Sequence, residues 1–246
     1  MSATSTLLGR PAPRRGVDVT AVPPPQGPPA LGTQLGEARA VLEVARLVRA
    51  APWLARAPRG GSRVIDLPGW RAPEASNLPL RLFLRALGHD PRPWGLGTNL
   101  GDPEGDAERL VERLRAERGA DPVALVGWSL GGVVAREVAR ALPDRVSRVV
   151  TFGSPIVGGP SYTFAASRYP EEERRRITAL IRQLDADRPI EVPITAIYSR
   201  RDGVVDWRAC VDHASPRVEH VEVGSTHLGL GLDPDVWWTV AQALAA

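Results

Sequence analysis

The stretch Val126-Gly127-Trp128-Ser129-Leu130-Gly131-Gly132 decides how the rest of this sequence is interpreted. The apolar run Val123-Ala124-Leu125 precedes it, and apolar residues at helical spacing follow it from Val133 to Leu142. This order predicts a strand, a sharp turn and a helix. A Gly-x-Ser-x-Gly string in that context is typical of a nucleophile elbow, in which a strained serine holds its hydroxyl above the edge of a sheet. Taken alone, the string also fits an ordinary strand-to-helix turn.

The composition indicates a folded protein and argues against several classes of function. The chain has 246 residues, 43% of them hydrophobic, which suits one α/β domain or two small ones. All 31 basic residues are arginine, and with 28 acidic residues the net charge is only +3, which argues against nucleic-acid binding. The single cysteine, Cys210, leaves no internal disulfide or cysteine-based metal site, and the four histidines form no zinc-binding pair. We therefore expect neither a metal nor another cofactor.

The N-terminal residues differ in composition from the rest of the chain. Residues 1–33 are rich in proline, glycine and arginine and predict a disordered or extended arm, followed by one domain over residues 34–246. Arginines lie near the start of the arm, but no apolar core follows them, so a secretory signal is not indicated. No apolar run approaches the roughly 20 residues that span a membrane. These features favour a cytoplasmic protein.

A helix is expected over residues 34 to about 54. Small apolar side chains share one of its faces, and charged side chains are expected in water. The apolar set is Val41, Val44, Ala45 and Val48, and the charged set is Arg39, Glu43, Arg46 and Arg49. The pattern favours a helix that packs against the domain. The alternative is a basic amphipathic helix on a membrane surface, so a weak membrane contact stays open.

Strands alternate with helices from Arg63 onward, which predicts an α/β fold. We expect a mostly parallel sheet of about six strands with helices on both faces. The predicted strands are Arg63–Leu67, 93–96, the elbow strand, 145–152, 194–198 and Val218–Val223, and the predicted helices are 75–87, 102 to about 119, the segment after the elbow, 170–184 and a last one from Pro234. Residues 156–190 break the alternation and form a candidate lid insertion.

The other two parts of a catalytic triad follow the elbow in the chain. A serine hydroxyl becomes a useful nucleophile when a base takes its proton, and histidine suits that task near neutral pH. His227 follows a predicted strand near the C-terminus, and Asp202 lies in the loop after the strand 194–198, with Asp206 as a rival acid. Serine, acid, histidine is the chain order that a triad on such a sheet needs. Asp202 also fits a plain turn residue, and His227 a loop histidine bound to backbone.

The remaining histidines are less suitable as a base. They are His220, inside a predicted strand, and His89 and His213, in polar turns before strands.

From about Val64 to the C-terminus, the chain resembles the α/β-hydrolase superfamily, and more narrowly the bacterial lipase- and esterase-type serine hydrolases. The stretches that carry the resemblance are Leu67-Pro68-Gly69-Trp70, the elbow, Arg201-Asp202-Gly203-Val204-Val205 and Ser225-Thr226-His227-Leu228-Gly229-Leu230. The resemblance implies the α/β-hydrolase fold. It also implies Ser129 as nucleophile, His227 as base and then acid, and Asp202 as the residue that orients the histidine. The oxyanion hole would use the backbone N–H groups of Leu130 and Trp70.

Two features depart from the family pattern. Many members place His-Gly in the turn after the first core strand, where this chain has Pro68-Gly69. This difference leaves open how the turn is held. The antiparallel strands that usually open the fold are missing or replaced by the helix over residues 34–54.

The activity that the resemblance implies is cleavage of a small-molecule or lipid carboxylic ester through an acyl-enzyme on Ser129. Trp70, Trp128, Tyr162 and Phe164 are candidates for an apolar acyl pocket, although Trp128 fits equally well as a residue packed under a neighbouring loop. An acyltransferase or thioesterase would use the same triad. A non-catalytic ligand-binding protein could keep the same scaffold. The oligomeric state is not indicated.

Overall fold

A parallel sheet forms the centre of the protein. The computed structural model describes residues 13–16, 18–117 and 121–246. Within these residues the sheet has seven strands: β1 Arg14–Arg15, β2 Arg63–Leu67, β3 Asp90–Pro93, β4 Val123–Trp128, β5 Val146–Phe152, β6 Ile194–Ser199 and β7 Val218–Val223. Their spatial order is β1-β7-β6-β5-β4-β2-β3, and only β1, which pairs with β7, is antiparallel to its neighbour.

Helices connect most of these strands. In the described residues they are α1 Leu31–Leu35, α2 Val41–Leu54, α3 Leu78–Ala86, α4 Pro103–Ala116, α5 Leu130–Ala141, α6 Glu171–Asp187 and α7 Pro234–Ala245. Aspartates begin two of them, because the side chains of Asp102 and Asp233 accept hydrogen bonds from the first-turn N–H groups of α4 and α7. None of the helices in this part of the chain combines the length and the apolar character needed to cross a membrane.

The helices cover both faces of the sheet, since its central strands are apolar on both sides. Helices α4 and α5 pack on one face, against side chains such as Leu67 and Leu125. Helices α2, α3 and α7 pack on the other face, against side chains such as Val126 and Phe152. The loops that follow β2, β4, β6 and β7 all leave the same edge of the sheet. Ligands of open α/β sheets bind at that edge.

The predicted α/β architecture is confirmed, with one strand displaced. Strand β3 covers Asp90–Pro93 rather than residues 93–96. Trp94 is fully buried, and its indole N–H donates to the carbonyl of Gly97 at 2.8 Å, so the residues after Pro93 turn into the core. Prolines are accepted in β3 because it is an edge strand. The end predicted for α4, near Gly119, lies outside the described residues.

Two residues of the predicted N-terminal arm are extended and join the sheet. Arg14–Arg15 pairs with β7, whose edge offers backbone groups for a further strand. The guanidinium of Arg15 also lies 2.7 Å from the carboxylate of Glu219. Residues 1–12 and 17 of the predicted arm lie outside the described residues. The division into an arm over residues 1–33 and a domain over 34–246 stays a prediction.

The helix expected over residues 34–54 is present, but its predicted orientation is wrong. It comprises the end of α1, a 3₁₀ turn and α2. Val41 and Val48 are 74% and 69% exposed, whereas Glu43 is only 7% exposed. Arg46 forms ion pairs with Glu43 and with Asp233 at the start of α7. The face that packs on the domain therefore carries charged as well as apolar residues.

The insertion at residues 156–190 contains two short 3₁₀ turns, Gly159–Tyr162 and Ala166–Arg168, before α6. Helix α6 has no buried residue. Arg140 of α5 joins its C-terminal end through an ion pair with Asp185 at 2.7 Å. The role of this insertion as a lid stays a prediction.

Candidate active site

Ser129 lies in a strained turn between β4 and α5, as the elbow motif predicts. Its φ is 52° and its ψ is −122°, in a region that residues with a Cβ rarely adopt. The backbone N–H of Ser129 donates to the carbonyl of Phe152 at 2.9 Å, and its own carbonyl accepts from the N–H of Gly132 at 3.0 Å. These bonds hold a conformation that would otherwise relax.

The glycines of the elbow permit three backbone segments to approach each other closely. A Cβ on Gly131 would lie 2.6 Å from the carbonyl oxygen of Pro68, and a Cβ on Gly127 would lie 2.5 Å from the nitrogen of Gly132. A Cβ on Gly69 would lie 3.2 Å from the Cβ of Ser129. The start of α5 therefore packs directly on the turn that follows β2, which is the turn expected to supply the second oxyanion donor.

His227 and Asp202 form a buried pair on two different loops. The Nδ1 atom of His227 lies 2.7 Å from Oδ2 of Asp202, and each residue is only 3% exposed. The other carboxylate oxygen of Asp202 accepts from the N–H groups of Val204 and Val205, at 2.9 and 2.7 Å. Fixed in this way, the carboxylate can select the tautomer of the imidazole that carries its proton on Nδ1 and leaves Nε2 as the base.

The rival acid, Asp206, binds the backbone and side chain of Arg208 in the same loop. Its side chain accepts from the backbone N–H of Arg208 at 3.1 Å and begins the 3₁₀ turn Trp207–Cys210. Its carboxylate also pairs with the guanidinium of Arg208 at 3.2 Å. The geometry thus favours Asp202 over Asp206 as the partner of His227.

The His227 imidazole lies beside the elbow. A Cβ on Gly153 would lie 3.0 Å from Nδ1 of His227, and Gly153 directly follows Phe152, the residue that holds the N–H of Ser129. The rings of His227 and Trp128 lie 5.8 Å apart between centroids. No hydrogen bond among the described residues joins the Ser129 hydroxyl to the imidazole, and such catalytic bonds commonly tighten only when substrate is bound.

The turn after β2 is held by Asn99, which is fully buried. The Asn99 side-chain amide donates to the carbonyl of Pro68 at 2.9 Å and accepts from the N–H of Gly101 at 3.0 Å. Its backbone carbonyl accepts from the N–H of Arg71 at 2.7 Å, and its own N–H donates to the carbonyl of Ala72 at 3.1 Å. The hydrogen bonds of Asn99 therefore explain how this turn keeps its shape with Pro-Gly in place of His-Gly.

Trp70, the residue predicted to supply the second oxyanion donor, lies in this turn after β2. Arg71, next to it, has a φ of 58° and is, with Ser129, one of two non-glycine residues of positive φ in the described chain. Backbone strain of this kind concentrates at functional sites. Outside regular helices and strands of the described residues, the backbone N–H groups of Trp70 and Leu130 donate to no backbone carbonyl. The two N–H groups thus have the freedom that an oxyanion hole needs.

Of the four candidate pocket residues, Trp70 and Phe164 contact each other, and the pocket itself stays a prediction. Phe164 contacts Trp70, with ring centroids 6.2 Å apart. Trp128 packs against Gly69 and His227, which is the environment expected of a residue under a neighbouring loop. Tyr162 instead packs with Tyr198 and Val205 behind the acid loop.

Two other histidines and the cysteine are buried, and both histidine rings accept hydrogen bonds from the backbone. The ring of His89 accepts from the N–H of Ser62 at 3.3 Å, and that of His220 accepts from the N–H of Asp212 at 2.9 Å. Burial lowers the pKa of both imidazoles and thereby favours their neutral form. Burial likewise raises the pKa of the Cys210 thiol well above its usual value, which keeps it from acting as a thiolate.

The sequence interpretation missed two residues that contact the candidate site. One is Asn99, whose only signal was a position in a glycine-flanked loop. The other is Glu37, whose carboxylate accepts hydrogen bonds from the backbone of both the acid loop and the histidine loop. A lone glutamate in a segment of small residues does not indicate such partners.

Comparisons with known proteins agree with this architecture. The family model described as alpha/beta hydrolase fold matches residues 84–188. The structure is similar to that of a metagenomic carboxyl esterase, with a TM-score of 0.56, 14% identity and 76% of each chain covered. It is also similar to polyneuridine aldehyde esterase, with a TM-score of 0.53, 12% identity and coverage of 76% of this chain and 100% of that one.

Naproxen esterase from Bacillus subtilis is similar too, with a TM-score of 0.53, 11% identity and coverage of 77% of this chain and 86% of the other. A search of curated protein sequences gave no match. At these identities the structural matches show the fold, which is the α/β-hydrolase fold. The family model, which matches less than half of the chain, agrees with that fold.

Proposed function

We propose that this chain of the α/β-hydrolase superfamily is a serine hydrolase that cleaves carboxylic esters through an acyl-enzyme on Ser129. The observation that carries the proposal is the buried His227–Asp202 pair at 2.7 Å, placed beside a serine of φ 52°. A buried ion pair that only stabilises the core needs no strained serine beside it, and neither does an ordinary turn. The esterases among the structural neighbours share the fold and agree with this choice of reaction class.

In the proposed reaction, the Nε2 atom of His227 takes the hydroxyl proton as Ser129 attacks the ester carbonyl. The tetrahedral oxyanion accepts hydrogen bonds from the N–H groups of Leu130 and Trp70, and one such donor lowers the barrier by about 3 kcal/mol. The imidazolium then gives its proton to the leaving alkoxide, and the alcohol departs. Water, deprotonated by the same imidazole, hydrolyses the acyl-enzyme and restores the serine.

The ester carbonyl would be presented at the edge of the sheet where β2, β4, β6 and β7 end. Trp70 and Phe164 form an aromatic surface there, with Arg168 over both rings. We propose that this surface contacts the apolar part of a small-molecule ester. Trp128 would support the imidazole instead of lining the acyl pocket.

A series of p-nitrophenyl esters of increasing acyl length tests this function. The wild-type protein should release p-nitrophenol, and Ser129→Ala should reduce kcat by at least about 10⁴-fold because it removes the nucleophile. Equal rates for the two proteins across the series, or no turnover by either, would contradict the proposal.

A further inference from the structure

Glu37 joins the two loops that carry the acid and the base. Its Oε1 atom accepts from the N–H of Gly203 at 2.7 Å and from the N–H of His227 itself at 2.9 Å, while Oε2 accepts from the N–H of Leu228 at 2.9 Å. We propose that Glu37 is a positioning residue that sets the spacing of the acid and histidine loops and thereby aims His227 at Ser129. This inference rests on the proposed function.

The approach of the N-terminal segment to the acid loop is close. A Cβ on Gly203 would lie 2.5 Å from the carbonyl oxygen of Thr33, 2.8 Å from the Cα of Gln34 and 2.9 Å from Oε1 of Glu37. Only glycine fits beneath the segment at this point. Residues 33–37 therefore lie directly on the loop that holds Asp202.

A second contact holds the same segment against the histidine loop. A Cβ on Gly229 would lie 2.8 Å from the Cγ of Glu43. Glu43 pairs with Arg46, whose guanidinium also lies 3.2 Å from Asp233, just beyond the histidine loop. Helix α2 is thus fixed beside this loop, and the place of Glu37 on the preceding turn is fixed with it.

The side chain at position 37 needs to be a carboxylate because three N–H donors converge on it. A carboxylate offers two acceptor oxygens, and hydrogen bonds to a charged acceptor are stronger than those to a neutral one. Glutamine would keep one acceptor oxygen but present an NH₂ group to the remaining donor. Alanine would leave all three N–H groups without this partner. Since one of them belongs to His227, its loss permits the imidazole to shift, and a shift of about 1 Å can lower a rate about 100-fold.

Glu37→Ala and Glu37→Gln test the inference, with Arg39→Ala as a matched control. Arg39 is an exposed residue of the same 3₁₀ turn as Glu37. For the ester that the wild type turns over, we expect kcat to fall about 10- to 100-fold in Glu37→Ala and less in Glu37→Gln. KM should stay within about twofold in both, because the proposed role of the carboxylate is to hold two loops and not to bind substrate. Arg39→Ala should behave like the wild type.

Amide hydrogen exchange supplies a readout that needs no activity. The amides of Gly203, His227 and Leu228 should exchange faster in Glu37→Ala than in the wild type, and Arg39→Ala should leave them unchanged. Unchanged exchange at these amides would overturn the contact. Faster exchange with wild-type kcat would overturn the positioning role.

Gly203→Ala and Glu37→Gln keep the test decisive if Glu37→Ala does not fold. The added methyl group of Gly203→Ala should push residues 33–37 away from the acid loop, and kcat should again fall while KM holds. Wild-type kcat in both variants would overturn the inference. An inactive wild-type protein would contradict the proposed function instead, and the exchange data, recorded without substrate, would still report the contact.

Discussion

At the scale of single residues, the proposed chemistry depends on how Asp202 differs from Asp206. Both acids follow β6 within one loop, yet only Asp202 contacts the imidazole of His227. Two backbone N–H groups hold the second oxygen of the Asp202 carboxylate. A carboxylate fixed in this manner can orient the histidine and stabilise the imidazolium that forms in the transition state.

Asp202→Asn should therefore lower kcat by about 10³- to 10⁴-fold, since the amide favours the wrong tautomer of His227. Asp206→Asn is the matched control, because asparagine can still begin the 3₁₀ turn, and its kcat should stay within about threefold of the wild type. Steady-state kinetics on one ester compares the two. Equal losses in both variants would contradict the assignment of the acid.

The residues that the sequence could indicate are those with a local signature. Ser129, Asp202 and His227 each lie in a post-strand loop of recognisable composition, and their order along the chain is informative. Glu37 has no such signature, because its partners lie 166 and 190 residues away. Contacts of that kind follow from the complete fold and not from any segment of the chain.

At the scale of elements, the turn after β2 is held in shape by a residue of another loop, Asn99. The buried side chain of Asn99 bonds to Pro68 and Gly101, and its backbone bonds to Arg71 and Ala72. The turn itself was predicted from Pro68-Gly69-Trp70, but no residue in the sequence indicated what holds it. A residue about 30 positions later, in another loop, supplies that support.

Asn99→Ala should weaken the turn, because it leaves the buried carbonyl of Pro68 unpaired, at about 1–3 kcal/mol, and also removes the partner of the half-buried N–H of Gly101. We expect a lower free energy of unfolding and a loss of kcat that exceeds the change in KM. Asn77→Ala is the control, since Asn77 is also buried but no hydrogen bond among the described residues joins its side-chain amide to the turn. Its stability should fall as well, with kcat retained. A wild-type kcat for Asn99→Ala would show that the turn does not depend on this side chain.

Helix α2 shows that the spacing of apolar residues does not always predict which face of a helix is buried. Its valines share a face in the sequence pattern, and Val41 and Val48 are nevertheless exposed. The buried face carries Ala50 and Leu54, which pack in the core, while Arg46 pairs with aspartates at the start of α7. Charged residues with partners can replace apolar ones in such an interface.

At the scale of the whole molecule, a buried ion pair links α5 to the connection between β6 and β7. The guanidinium of Arg136 contacts Asp212, and both side chains are almost fully buried. Burial alone would raise the pKa of the Asp212 carboxyl. The charge of Arg136 and the hydrogen bonds from Ser215 and Ala214 outweigh burial and lower this pKa to about 2.

Because the folded-state pKa of Asp212 lies below the unfolded value of 3.8, its carboxylate stabilises the fold above about pH 4, and this stabilisation is lost as the pH falls toward 2. Asp212→Asn should therefore unfold at lower denaturant concentration than the wild type at pH 7, and the difference should narrow between pH 4 and 2. Chemical denaturation across that range measures it. A difference that stays constant with pH would contradict this account.

The central claim is that Ser129 is an activated nucleophile, and labelling with a fluorophosphonate probe tests it most directly. The reagent reacts readily only with a serine whose proton has a base to accept it. Mass spectrometry of the digested wild-type protein should find the phosphonyl adduct on Ser129, with slower labelling of Asp202→Asn and none of Ser129→Ala. A wild-type protein that resists the probe, or equal labelling of Ser129→Ala, would contradict the claim.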